Sequence, residues 1–162
     1  MSIFPTRILL ATDGSEDATH ATEAAVELSK KTDSELHVVY VGDDAYSATL
    51  AYPEATDPQR VEQEDPALIG EQEWQFEQIS RRVLDAEVEK VQAAGGTVGQ
   101  AHLRIGTAAA EITDLAEELD VGLVVVGSRG LGGIRRALMG SVSDSVVRHA
   151  HCPVLVVRKE ER

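Results

Sequence analysis

The sequence contains one cysteine, Cys152, in 162 residues. A single thiol cannot close an internal disulfide, and this suits a reducing cytoplasm. Aromatic residues make up only 4% of the chain against 43% apolar residues, so the expected core is aliphatic. No apolar run approaches the ~18 residues needed to cross a bilayer. The opening MSIFPTRILLATD lacks a basic region, an apolar stretch and a small-residue cleavage site in succession, and reads as a strand rather than a signal peptide. Positive charge is also scarce. Lys and Arg total 15 against 28 Asp and Glu, for a net charge of -13, and the only lysines are Lys30, Lys31, Lys90 and Lys159. An acidic surface repels nucleic acid and anionic lipid, which argues against both as partners. It also destabilises a compact chain by self-repulsion unless salt screens it. The acidic excess therefore points to a salt-rich cytoplasm, with an ordinary acidic protein as the alternative.

What is present alternates between strands and helices. RILLATD (Arg7 to Asp13) is a short apolar run closed by Asp-Gly. From Asp17 to Lys31, Ala18, Ala21, Ala25 and Leu28 form one helical face, with two lysines in the last turn. ELHVVYV (Glu35 to Val41) is a second strand. The acidic, proline-containing stretch from Gly42 to Pro66 has no period and reads as a mobile loop, either a lid over a site or an insertion without function. A long helix is predicted from Ala67 to Ala94, with Ile69, Phe76, Ile79, Val83 and Val91 inward and Gly95-Gly96 as its stop. Thr97 to Arg104 is a more polar strand that suits a sheet edge. A helix follows on Ala108, Ile112, Leu115 and Leu119, then GLVVVG (Gly122 to Gly127), a strand buried on both faces. Val142, Val146 and Ala150 mark a last helix, and PVLVVR (Pro153 to Arg158) a last strand. With no repeat and no linker, residues 1–162 read as one α/β domain, a doubly wound, five-stranded parallel sheet with helices on both faces. Ligands of such sheets sit at the carboxyl ends of the strands, where Asp13, Val41 and Gly127 fall.

The stretch VVVGSRGLGGIRRALMGSVSDSVV, Val124 to Val147, concentrates glycines and arginines in this acidic chain. It is not a P-loop, because Gly133-Ile134 stands where Lys-Ser/Thr should follow Gly127 and Gly132. Nor is it a dinucleotide fingerprint, because Arg135 takes the third glycine's place after Gly130 and Gly132. The pattern present is G-x-x-G-x(9)-G-S, on Gly127, Gly130, Gly140 and Ser141. Glycines let backbone N–H groups approach phosphate oxygens. A helix start adds free N–H groups and the positive end of its dipole. Ser141 is placed to open the last helix, with Asp144 three residues on, as in a capping box. Its hydroxyl could cap the helix, bind phosphate or do both, and Ser143 is a weaker phosphate candidate.

The glycine pattern after the fourth strand, the opening ILLATDGSEDA and the ending HCPVLVVR together resemble the ATP-binding branch of the universal stress protein family. The resemblance spans nearly the whole chain except the 42–66 loop. It implies the strand order 3-2-1-4-5 and an adenine-nucleotide site. That site would take Val126, Gly127, Ser128, Arg129 and Gly130, then Gly140, Ser141, Val142 and Ser143, around the phosphates. Asp13 would lie near the ribose and hold Mg2+ or Mn2+ through water, or else simply form its Asp-Gly turn. The backbone of Val41 would meet the adenine edge, with Ala11 and Thr12 lining the same wall. The resemblance also implies a homodimer paired through Pro153 to Arg158, as an unprotected edge strand favours. Arg135 and Arg136 are further local cations, Arg136 more simply a surface residue. His149, His151 and Cys152 could bind a metal but need only form a turn, and His20, His37 and His102 are scattered. No catalytic constellation stands out. The leading reading is an ATP-binding stress-response regulator or binding module with at most slow hydrolysis. The alternatives are a true ATPase or nucleotidyl transferase, and a dimeric scaffold that binds no nucleotide.

Overall fold

A computed structural model describes residues 2–43, 66–128 and 139–159. The strands are β1 (Arg7–Thr12), β2 (Glu35–Gly42), β3 (Val98–Ile105), β4 (Leu123–Gly127) and β5 (Val154–Val157). The helices of these residues are α1 (Glu16–Thr32), α2 (Pro66–Ala93), α3 (Ala108–Glu118) and α4 (Ser141–His149). All strand pairings are parallel, in the order β3-β2-β1-β4-β5, as expected. Residues 44–65 of the expected loop lie outside the described residues. None of the described helices is long and apolar enough to cross a membrane.

Alternation along the strands divides the core in two. Ile8, Leu10, Leu36, Val38 and Val125 pack against Ala21 and Ala25 of α1 and Leu84 and Val91 of α2. Leu9, Ala11, Val39, Val124 and Val126 pack against Ile112, Leu115 and Ala116 of α3 and Val146 of α4. The small alanines of α1 let that helix lie close to the central strands. Ser15 caps its start, accepting the Ala18 N–H, and Asp33 ends it in the left-handed conformation. As the polar sequence of β3 suggested, that strand is an edge; β5 is the other.

The face expected of α2 holds at Val91, which is buried, and at Phe76 and Val83, which are partly buried, but Ile79, expected inward, is 51% exposed. The fully buried positions are Ser80, Leu84, Glu87 and Val91, at helical spacings of +4, +3 and +4. This face docks closely on Gly42, where a β-carbon would lie 2.9 Å from Ser80 Oγ and 3.0 Å from Phe76 Cζ. In α4, Val146 is buried, Val142 is exposed and Ser143 takes the buried position one residue on. The side chain of Ile69 lies outside the described residues.

The sheet also joins two histidines that are far apart in sequence. His37 of β2 is 3% exposed, and its Nδ1 lies 3.1 Å from Nε2 of His102 on β3. The rings are stacked, with centroids 5.4 Å apart. The other nitrogen of His37, Nε2, lies 3.4 Å from Glu35 Oε1 but has no hydrogen-bond partner. Burial, then His37 and Arg104, hold the His102 imidazole below its ordinary range, with Glu118 opposing them. A base depressed in this way binds fewer protons folded than unfolded. Its contribution is therefore complete above the unfolded value of about 6.5 and is lost as pH falls through that value towards the folded one. Between pH 7.5 and 5.5 the wild type should lose more melting temperature than His102→Gln. Equal losses in paired thermal melts would remove His102 from the acid response.

Candidate functional site

The chain runs outward from β1 to β2 and β3, then returns to β4 on the other side of β1. The order therefore reverses between β1 and β4, which lie side by side, with α1 on one face of the sheet and α4 on the other. After β1 the turn is tight. Asp13 Oδ1 accepts the Ser15 N–H at 2.9 Å, Gly14 adopts φ 80°, and Ser15 Oγ accepts the Ala18 N–H at 3.2 Å. The Asp13 side chain thus shapes the turn with one oxygen, and its second oxygen takes no partner among the described residues.

On the β4 side the geometry centres on one carbonyl. Ser128 is buried and donates its N–H to Val157 O at 2.9 Å. Its own carbonyl accepts the Gly140 N–H at 2.6 Å and the Ser143 hydroxyl at 2.9 Å. The end of β4 and the start of α4 are thus held together through Ser128 and Gly140. Arg129, Gly130, Arg135 and Arg136 lie outside the described residues.

The start of α4 differs from the capping box expected of Ser141 and Asp144. Gly140 is the N-cap, at φ -71° and ψ 162°, and no side chain among the described residues caps the helix. Ser141 is therefore the first helical residue, and Asp144 donates its N–H to Gly140 O at 3.0 Å. A helix start without a side-chain acceptor keeps N–H groups available to an anion. Ser141 and Val142 are exposed there. The Ser143 hydroxyl, offered in sequence to a phosphate, instead points inward to Ser128 O, with Gly140 O also at 3.2 Å.

The remaining candidates line the floor. Ala11 and Val126 are buried in the core beneath α3 and α4, and Val41 packs partly against the same cluster. Gly127 ends β4, in register with Val157. Thr12 is buried, and its hydroxyl donates to Glu87 Oε2 of α2 at 2.7 Å. Glu87 was missed in the sequence, yet a signal was there: it occupies the +3 position between Leu84 and the buried Val91. The His37–His102 pair was missed because its contact depends on a register shift between β2 and β3 next to His37. Among the described residues, no group of three or more His, Cys, Asp or Glu could hold a metal ion, and His149 instead contacts Ser145. Burial pushes the Cys152 thiol up, which disfavours a reactive thiolate.

This arrangement defines an α/β domain of the doubly wound class, in which ligands generally bind at the carboxyl edge where the strand order reverses, here between β1 and β4. The model of the universal stress protein family matches residues 5–158, and the chain belongs to that family. It is 34% identical over 152 residues to universal stress protein YxiE of Bacillus subtilis, covering 94% of this chain and 98% of that protein. Among solved structures it resembles universal stress protein UspA from Lactobacillus plantarum, with a TM-score of 0.72 and 26% identity over 96% of this chain and 99% of that one. Two more distant structures share the fold. One is a universal stress protein in complex with cAMP (TM-score 0.64, 21% identity, 97% and 99% coverage). The other is the Archaeoglobus fulgidus universal stress protein in complex with dAMP (TM-score 0.59, 19% identity, 96% and 99% coverage).

The two serines of α4 should separate in denaturant titrations. Ser143→Ala removes a buried hydrogen bond and should cost about 1 kcal/mol. Exposed Ser141→Ala should stay within about 0.5 kcal/mol of wild type. Equal costs would contradict the inward role of Ser143.

Proposed function

We propose that the chain binds an adenine nucleotide, ATP foremost, in the crevice between the β1–α1 turn and the start of α4. The observation that carries this reading is the α4 start without a side-chain cap, which is tied to β4 by the Gly140 N–H to Ser128 O bond of 2.6 Å. Gly127, Ser128, Arg129, Gly130, Gly140 and Ser141 would surround the phosphates, with Val142 and Ser143 supporting the helix start. The Val41 backbone would meet the adenine edge, and Asp13 the ribose. The Asp13 oxygen without a partner among the described residues suits Mg2+ or Mn2+ held through water, which would neutralise phosphate charge near this acidic chain. The cAMP and dAMP complexes of structural neighbours support a nucleotide of the adenine class. Without a P-loop lysine or a catalytic constellation, the function is nucleotide-dependent regulation or binding in the cytoplasm, with at most slow hydrolysis.

The φ and ψ of Gly140 are open to any residue. Gly140→Val should therefore fold, while its side chain would obstruct a phosphate approaching to about 2.9 Å from backbone nitrogen. Calorimetric titration with Mg-ATP should show binding abolished or greatly weakened in Gly140→Val and Gly130→Val, and weakened in Asp13→Ala. A folded Gly130→Val that bound like wild type would remove the glycine segment from the site. Steady phosphate release well above ~1 per second would favour a dedicated ATPase.

The protein would act as a homodimer. Val154, Leu155, Val156 and Val157 are only partly buried on an edge strand of this single chain, and an open edge favours pairing with a second copy. With a charge of -13, that association and the fold should both benefit from salt as the screening length falls from ~10 Å at 0.1 M to ~3 Å at 1 M. Light scattering in molar KCl should give a dimer, and the melting temperature should rise with KCl. A monomer across a wide concentration range would exclude the pairing, and a flat melting curve the salt adaptation.

A further inference from the structure

Glu87 is a carboxylate at 2% exposure in the middle of the inward stripe of α2, between Leu84 and Val91. Burying such a group is costly without partners. Here both oxygens are engaged: Oε2 accepts the Thr12 hydroxyl at 2.7 Å, and Oε1 accepts Lys90 Nζ at 2.6 Å. Folding alone does not require this arrangement, because a buried ionic cluster can often be replaced by apolar residues of similar volume without loss of stability. Its location suggests another reason. Thr12 ends β1, and Gly14 N–H reaches back to Thr12 Oγ1 at 3.4 Å. A β-carbon on Gly14 would lie 3.8 Å from Glu87 Oε1, so the carboxylate sits directly beneath the turn that carries Asp13.

The direction of these bonds matters. Because Thr12 donates its only hydroxyl hydrogen to Glu87, its oxygen faces the turn solely as an acceptor, and this suits the Gly14 N–H. The bonds thus run from Lys90 to Glu87, from Thr12 to Glu87, and from Gly14 to Thr12, next to the Ser15 N–H on Asp13. We infer that Glu87 is a positioning residue for the nucleotide crevice: acting through Thr12, it fixes the turn that presents Asp13. This inference rests on the nucleotide reading proposed above.

The test is a double-mutant cycle on Mg-ATP affinity by calorimetry, using Glu87→Gln, Thr12→Val and their combination, with Thr12→Ser as the conservative control. Circular dichroism and melting temperature report folding for each variant. Thr12→Val, which removes the donor, should weaken binding about tenfold, the scale of one lost charge-assisted hydrogen bond, and Glu87→Gln, which leaves a neutral acceptor, should weaken it less. The combination should be no worse than Thr12→Val alone, because both act on the same link. Thr12→Ser keeps the hydroxyl and should recover most of the affinity lost in Thr12→Val. If Glu87→Gln fails to fold, the contrast between Thr12→Val and Thr12→Ser decides the matter. Unchanged affinity in folded Glu87→Gln or Thr12→Val overturns the inference alone, as do losses that add in the combination and track melting temperature. A wild type that binds no adenine nucleotide overturns the nucleotide reading and this inference with it.

Discussion

The rest of the structure depends on covering both faces of the central strands. Ile8, Leu9 and Leu10 of β1 are consecutive and fully buried, so β1 needs apolar neighbours above and below. Each such side chain contributes about 2 kcal/mol when removed from water, and helices on one face alone would leave either Leu9 or both Ile8 and Leu10 uncovered. Parallel strands require crossovers, and right-handed crossovers that first run one way from β1 and then the other place two helices on each face. The same path reverses the strand order between β1 and β4.

Around that reversal, polar groups do the fastening that aliphatic packing cannot. The Ser128 carbonyl gathers Gly140 and Ser143, fixing where α4 begins. Glu87 gathers Thr12 and Lys90, fixing where β1 ends. Both bring together groups from separate elements, and both are buried, where a missing partner is more costly than at the surface. Exposed pairs such as Arg148 with Asp144 add little by comparison. Ion pairing at the surface is therefore a weak counterweight to the charge of -13, and the apolar core and these buried polar links hold the chain together.

Much of the fold was legible because the apolar spacing is regular. The alanine face of α1, the continuous apolar run of β4 and the polar character of edge strand β3 all matched their positions in the sheet. Helix faces were less secure where two adjacent residues could both serve. Ile79 and Ser80 compete for the inward position of α2, and hydrophobicity favours the isoleucine. The helix rotation nevertheless places Ser80 inward, beside Gly42 together with the Phe76 ring. Val142 and Ser143 compete in the same way, and a hydrogen bond to Ser128 selects the serine.

By itself the sequence determined the order of strands and helices, the aliphatic two-faced core and the residues gathered at the carboxyl edge, because each follows from local periodicity or spacing along the chain. The tertiary structure alone decided which polar groups meet. Thr12 with Glu87, His37 with His102 and Ser128 with Gly140 join segments brought together by sheet register and helix rotation. A shift of one residue in strand register exchanges the two faces of a sheet, and a rotation of 100° replaces one helix residue with the next. Local spacing does not carry that information, because register and rotation are set by the packing of the whole core.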